Sequence, residues 1–227
     1  MRWADLDQLN HVNNVVYVEY AAEAQALLRA ADELPDSDPR SVQITFLSPM
    51  LLSLTPVTVR TTLDGGELTQ EVCSGDTVNA RVVSSYREPA AAVVVAGADG
   101  PIPVRTRIGD VDGTGAVTVP KLCELYQESR VLLISQHLPK RALGQFVVGT
   151  VTIDVLGPMP WRPEAYEAHG WLTRVGDASF TIEMVITDGD RVLSRGTSVL
   201  VGFDLEAQTS RRFTEEERAA MLPHVLA

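Results

Sequence analysis

No apolar run in the chain approaches the ~20 residues that a bilayer-spanning helix needs, and the start lacks the basic-then-apolar pattern of a secretory signal. Cysteine is scarce as well. Cys73 and Cys123 stand far apart without metal-ligand spacing, which reads as two reduced structural thiols in a cytoplasmic protein. Positive charge is outnumbered, with 19 Lys and Arg against 30 Asp and Glu and a net charge of −11 at pH 7. Nucleic acid and anionic membranes both call for basic patches, so neither is expected as the main partner. A small anionic ligand needs only a few local Arg or Lys and stays open. Also missing are a G-x-S-x-G nucleophile turn, a phosphate loop and a metal-ligand cluster. The stretch DVDGTG (Asp110–Gly115) looks superficially like a calcium loop, but its twelfth position is Lys121 where a bidentate Glu is required. No metal and no cofactor is therefore expected.

What is present is an ordinary soluble composition, 45% hydrophobic and 22% charged over 227 residues, enough for one large domain or two small ones. The chain also repeats itself. Shifted by 105, RWADLDQLNHVNNVVYVEYAAEAQALL (Arg2–Leu28) falls without a gap on RIGDVDGTGAVTVPKLCELYQESRVLL (Arg107–Leu133), with eight of 27 positions identical. Among them are Asp5/Asp110, Asp7/Asp112, Val12/Val117, Glu19/Glu124 and Glu23/Glu128. Two further landmarks recur in order: Leu34-Pro35 as Leu138-Pro139, and LSPM (Leu47–Met50) as LGPM (Leu156–Met159). This pattern predicts a duplicated domain, with repeats over residues 1–100 and 101–227.

Each repeat follows one plan. A short strand (Arg2–Leu6; Pro103–Val111) is expected to lead into D-x-D and then a helix of about five turns. The first helix, Val15–Ala31, is apolar nearly all round, as a wrapped helix would be; the second lies near Val119–His137. Three or four strands follow each, separated by DGG, SGD and TDGD turns. One long helix followed by an antiparallel meander implies an α+β unit whose sheet curls around its helix. Thr214 and Glu217 form a capping-box pattern for a last short helix that Pro223 ends. Only Met1 precedes Arg2, against several residues before Arg107, so the first strand is expected to be shorter than its twin and a longer natural start is anticipated.

The segment Arg2–Ala24 resembles the strand-to-helix motif of hot-dog-fold thioesterases, the 4-hydroxybenzoyl-CoA and acyl-ACP thioesterase group. The family pattern D-x-D-x-x-x-H-V-N-N-x-x-Y is met by Asp5, Asp7, His11, Val12, Asn13, Asn14 and Tyr17, and the helical acid and small residue that follow by Glu23 and Ala24. The second copy keeps Asp110 and Asp112. It has Ala116 for the histidine, Thr118 and Val119 for the asparagines, and Leu122 for the tyrosine. The resemblance implies a tandem double hot dog, an internal pseudo-dimer, with homo-oligomerisation left open. It further implies hydrolysis of a small-molecule acyl thioester, acyl-CoA or acyl-ACP, with coenzyme A entering only as part of the substrate.

Thioester hydrolysis needs a water activated by a base or an attacking carboxylate, and donors for the oxyanion such as a helix N-terminus. By the resemblance, the second acid of D-x-D reacts, which assigns catalysis to Asp7 and, in the second copy, Asp112. Asp5 then holds the turn, and His11 polarises the carbonyl or holds the water. Asn13, Asn14, Tyr17, Glu23 and Glu128 are the candidate substrate-binding residues. Each has a structural alternative: Asp7 as a loop acid, His11 as a packed loop histidine, Asn13 or Asn14 as a plain N-cap. For Glu23 and Glu128 the alternative is burial as ion pairs with sheet arginines such as Arg2 or Arg107. Plant acyl-ACP thioesterases carry an Asn between the Asp and the His, where Gln8, Leu9 and Asn10 stand here, so their detailed mechanism does not transfer directly. Arg60, Arg105, Lys140 and Arg174 are undistinguished candidates for the CoA phosphates. A hot-dog enoyl-thioester hydratase or dehydratase and a non-catalytic acyl-thioester-binding protein are the rival functions.

Overall fold

The computed structural model describes residues 1–7, 10–137, 146–204 and 206–226. Its contacts divide the chain into two compact units, Met1–Pro89 and Ala90–Ala227. The second member of the Leu-Pro landmark, Leu138-Pro139, and Lys140 lie outside the described residues, as do Gln8 and Leu9.

In the first unit, α1 (Asn14–Ala30) is followed by β1 (Ser41–Phe46), β2 (Val57–Asp64), β3 (Glu67–Ser74) and β4 (Thr77–Ser85). The strands are antiparallel in the order β2-β3-β4-β1. β3 and β4 alternate apolar and polar positions, and Leu68, Val72, Ala80 and Val82 are fully buried. Helix α1 packs on β2, β3 and β4 through Val16, Tyr17, Val18, Ala21 and Gln25. It buries one face only, since Leu27 on the other side is 64% exposed. The all-round apolar pattern overstated its burial: helix formers such as Ala and Leu fill the outer face through propensity, without packing.

The second unit contains β5 (Asp99–Val104), α2 (Val119–His137), β6 (Phe146–Val155), β7 (Tyr166–Val175), β8 (Ser179–Asp188) and β9 (Arg191–Asp204). A two-residue β10 (Thr209–Ser210) pairs with β9, and α3 (Glu215–Met221) closes the unit. The antiparallel order is β6-β9-β8-β7-β5, so its four long strands repeat the connectivity of β1 to β4. Thr214 accepts the Glu217 amide while Glu217 reaches back, the capping box read from the sequence. α3 ends at Met221, before a 3₁₀ turn, Leu222–His224, that contains Pro223. Cys73 and Cys123 are buried free thiols, and burial pushes the Cys123 thiol up to about 12.

The expected strands at Arg2–Leu6 and Pro103–Val111 are not formed as such. Trp3–Asp5 and Ile108–Asp110 are single 3₁₀ turns, and the strand before the second turn ends at Val104. The cause is the same in both. The Arg2 N–H donates to the Asp5 carboxylate at 2.5 Å and the Arg107 N–H to that of Asp110 at 2.6 Å, while the Asp5 and Asp110 amides return to the carbonyls of Arg2 and Arg107. A side-chain acceptor three residues on closes a turn where a strand would need a neighbour.

The two helices meet their sheets through different polar groups. On α1, buried Gln25 donates to Gln70 Oε1 at 2.7 Å and to Ser84 Oγ at 3.3 Å, while Gln70 donates to the Ala21 carbonyl at 2.9 Å. At the matching position of α2 stands Arg130, buried, donating to Ser198 Oγ at 2.9 Å. Burial lowers its guanidinium to about 10. Tyr126, one turn earlier, bonds Ser194 at 2.9 Å and lays its ring over Gly196.

Candidate active site

The D-x-D loop is a small hydrogen-bonded knot that opens α1. Asp7 donates its amide to the His11 carbonyl at 2.8 Å, and the His11 amide returns to Asp7 Oδ1 at 3.0 Å. The Asn10 amide bonds the Asp7 carbonyl at 3.1 Å, with Asn10 in the left-handed region at φ 61°. Val12 then pairs with the Met50 carbonyl at 2.8 Å, which brings the LSPM landmark against the loop. Asp7 is exposed and His11 half-buried, both just ahead of the helix N-terminus and its partial positive charge.

The sequence left the N-cap open between two asparagines; it is Asn13, whose side chain accepts the Val15 amide at 3.3 Å, while Asn14 is the first helical residue. Tyr17 is buried beneath the loop, and its hydroxyl accepts the Met50 amide at 3.1 Å. Burial raises its pKa, and the charge of nearby Asp7 adds to the rise. Asp5 is buried and structural. Besides the Arg2 amide it accepts the Tyr20 hydroxyl at 3.0 Å, and its carbonyl takes the Asn13 amide at 2.8 Å. Asp5, Asp7, His11, Asn13 and Tyr17 therefore converge on one loop and one helix turn. Glu23 does not join them. Both Glu23 and Glu128 are exposed, as are Arg2 and Arg107, so the buried ion pairs weighed from the sequence are corrected: the two acids lie on the outward faces of their helices.

The second copy builds the same backbone knot. Asp112 donates to the Ala116 carbonyl at 2.9 Å, Gly115 to the Asp112 carbonyl at 3.0 Å, Val117 to the Met159 carbonyl at 2.9 Å and Thr118 to the Asp110 carbonyl at 3.1 Å. The side chains differ. Asp112 Oδ1 accepts the Thr114 hydroxyl at 2.6 Å, the Thr114 amide at 2.8 Å and the Ala116 amide at 3.3 Å. These donors, Thr114 first, hold its carboxyl below the usual Asp value and make it a weaker base.

With this geometry in hand, the relatives are informative. The family model for the acyl-ACP thioesterase C-terminal domain matches residues 1–50, the stretch holding the D-x-D loop, α1 and LSPM. Among curated proteins none matches the sequence. A solved 12:0-ACP thioesterase from Umbellularia californica shares 10% identity at a TM-score of 0.62, covering 89% of this chain and 91% of its own. An acyl-ACP thioesterase from Bacteroides thetaiotaomicron gives 11%, 0.59, 88% and 94%. The fold is that of the hot-dog thioesterases. A thioesterase-superfamily protein from Jannaschia sp. CCS1 shares this hot-dog fold at 19% identity and a TM-score of 0.54, but all of its chain covers only 61% of the present one.

Of the arginines considered for CoA phosphates, Arg60 pairs with Glu71 at 3.2 Å and Arg105 donates to the Pro163 carbonyl at 3.2 Å. Arg174 is exposed on β7. Among the described residues no helix is long and apolar enough to cross a membrane. The sequence showed no metal-ligand spacing, yet folding gathers Asp99, His137 and His224 within the second unit. No local signal announces that trio, because its members lie on three separate elements.

Proposed function

We propose that the chain is a thioester hydrolase acting on acyl-CoA or acyl-ACP, with Asp7 as the reacting carboxylate. The observation that carries this reading is the reciprocal Asp7–His11 hydrogen-bond pair at the entrance to α1. It ties an exposed carboxylate to the His11 backbone beside a helix N-terminus, with the histidine on the same loop, an arrangement that suits a nucleophile or base and an oxyanion site. Asp7 removes a proton from water as that water attacks the acyl carbonyl, or attacks the carbonyl itself to give an anhydride that water then opens. In either case a C–O bond forms, the C–S bond breaks, and the products are a carboxylic acid and the free thiol. His11 orients the carbonyl or the water, and Tyr17 and Asn13 keep the loop in place. The matching loops and the repeated strand order support a tandem double hot dog, and the donors around Asp112 support a second site that is weaker or structural. We place the activity in cytoplasmic lipid metabolism, consistent with two buried unpaired thiols.

A thiol-release assay over a panel of acyl-CoAs and acyl-ACPs tests the reading. Asp7→Asn is expected to lower turnover by about 10²–10⁴-fold, and Asp112→Asn to lower it far less. Wild-type turnover in a folded Asp7→Asn variant would sink the assignment. Hydration of enoyl-CoA without thiol release would point instead to a hydratase, and binding without turnover to a carrier protein.

A further inference from the structure

A second constellation lies in the other unit, away from the D-x-D loops and independent of the thioester reading. Asp99 begins β5, His137 ends α2, and His224 sits in the 3₁₀ turn after α3. Asp99 Oδ2 is 3.2 Å from His137 Nε2 and 3.2 Å from His224 Nδ1, and the three ligand atoms lie within 4.8 Å of one another. The two imidazole rings are tilted at 45° with centroids 3.8 Å apart. His137 Nε2 is buried and, despite its nearness to the carboxylate, has no hydrogen-bond partner among the described residues. A buried ring nitrogen that faces a carboxylate without bonding it is unexplained by packing alone.

The backbone brings the trio together deliberately. Gly170 on β7 lets α2 approach so closely that a Cβ there would meet Leu133 at 2.8 Å. His137 lies one turn beyond Leu133 on the same helix face, and Asp99 pairs with Gly170 across the β5–β7 ladder. The third residue is carried in by the segment after α3, where the Leu226 amide bonds the Leu172 carbonyl at 2.8 Å and Val225 bridges Leu172.

We propose that Asp99, His137 and His224 form a binding site for one divalent transition-metal ion of the Zn²⁺ type. Two ligands held tetrahedrally at ~2.0–2.2 Å from such an ion stand about 3.3–3.5 Å apart, close to the 3.2 Å from Asp99 to each imidazole nitrogen, and the two imidazole nitrogens lie within 4.8 Å of each other. Two imidazoles and one carboxylate suit Zn²⁺ or Co²⁺ and not Ca²⁺ or Mg²⁺, which take oxygen ligands. Three protein ligands leave one position open. The same side chains line a small cavity of about 30 Å³ whose other walls include Trp171, Leu172, Phe180 and Met221. A water or a small donor ligand completes the coordination from that side.

The test uses the whole chain, stripped with a chelator and titrated with Zn²⁺ alone by calorimetry and with Co²⁺ alone by visible absorption. One ion per chain, the intense visible bands of four-coordinate Co²⁺, and a Zn²⁺-dependent rise in Tm of several degrees are expected. His224→Gln and Asp99→Asn, near-isosteric changes at partly exposed side chains, should each weaken Zn²⁺ binding by more than ~100-fold while keeping the metal-free melting transition. No saturable binding by the wild-type chain overturns the proposal, leaving a hydrogen-bonded cluster only. So does unchanged affinity in a folded variant, which would move the ion elsewhere.

Discussion

Asn10 and Gly115 occupy the same place in the two D-x-D loops, both in the left-handed backbone region, at φ 61° and 82°. Each sends its amide back to the carbonyl of its aspartate, Asp7 or Asp112. Asn tolerates this conformation and a β-branched residue does not. Asn10→Gly should be close to neutral, whereas Asn10→Val should cost about 1–2 kcal/mol and disturb the Asp7–His11 pair. Chemical denaturation measures the first effect and thiol-release turnover the second.

Tyr17→Phe removes the acceptor that holds the Met50 amide under the loop. A buried N–H then loses its partner, at a cost of about 1–3 kcal/mol. The edge-to-face contact of the ring with Phe46 at 5.6 Å remains, so the variant should fold. Its urea midpoint should fall with an unchanged m-value; an unchanged midpoint would mean that water replaces the hydroxyl.

Gly196→Ala places a methyl group 2.7–2.9 Å from the ring of Tyr126. The ring is fully buried and anchored at its hydroxyl by Ser194, so it has little room to yield. Overpacking of this kind costs about 1–3 kcal/mol. Differential scanning calorimetry should show the loss, and pairing with Tyr126→Leu should recover part of it.

Glu217 accepts both guanidinium nitrogens of Arg211, at 2.6 and 2.8 Å, and is nearly buried. Arg211 holds its carboxyl below the ordinary value of 4.5. As the solution acidifies, the unfolded chain takes up this proton first, so the pair's contribution is complete above that ordinary value and fades as the pH falls through the folded one. Glu217→Gln should cost about 1–3 kcal/mol at neutral pH, and its melting curve should converge on that of the parent chain in acid. A gap that persists undiminished at low pH would show that packing, not charge, sets the effect.

The limits of legibility follow a physical line. Antiparallel strands follow each helix as expected from the sequence, β7 and β9 among them, because apolar residues and turn signals bound them locally. The 3₁₀ turns at Trp3–Asp5 and Ile108–Asp110 were misread as strand. A carboxylate captured an amide three residues back, and the shared R-x-x-D of both copies was the available signal. The roles within the loop were partly visible: the motif gathered Asp7, His11, Asn13 and Tyr17, but two adjacent asparagines share one capping chemistry and only the folded backbone selects Asn13 as the cap. Glu23 and Glu128 show the opposite failure. Their place on helices expected to be wrapped suggested burial, and the helix phase turns both outward. Asp99, His137 and His224 meet only through tertiary packing, which no spacing rule encodes.

The polar seams under the two long helices bear on any attempt to recombine the chain. α1 rests on an amide lattice, Gln25 with Gln70 and Ser84, whereas α2 rests on a guanidinium and a phenol, Arg130 and Tyr126, that need Ser198, Ser194 and the bare backbone of Gly196. Two helices aligned without a gap have thus ceased to be spare parts for one another. A chimera that grafts α2 onto the first sheet would carry a positive charge into a seam built for neutral amides, and each half has become the template for its own helix alone.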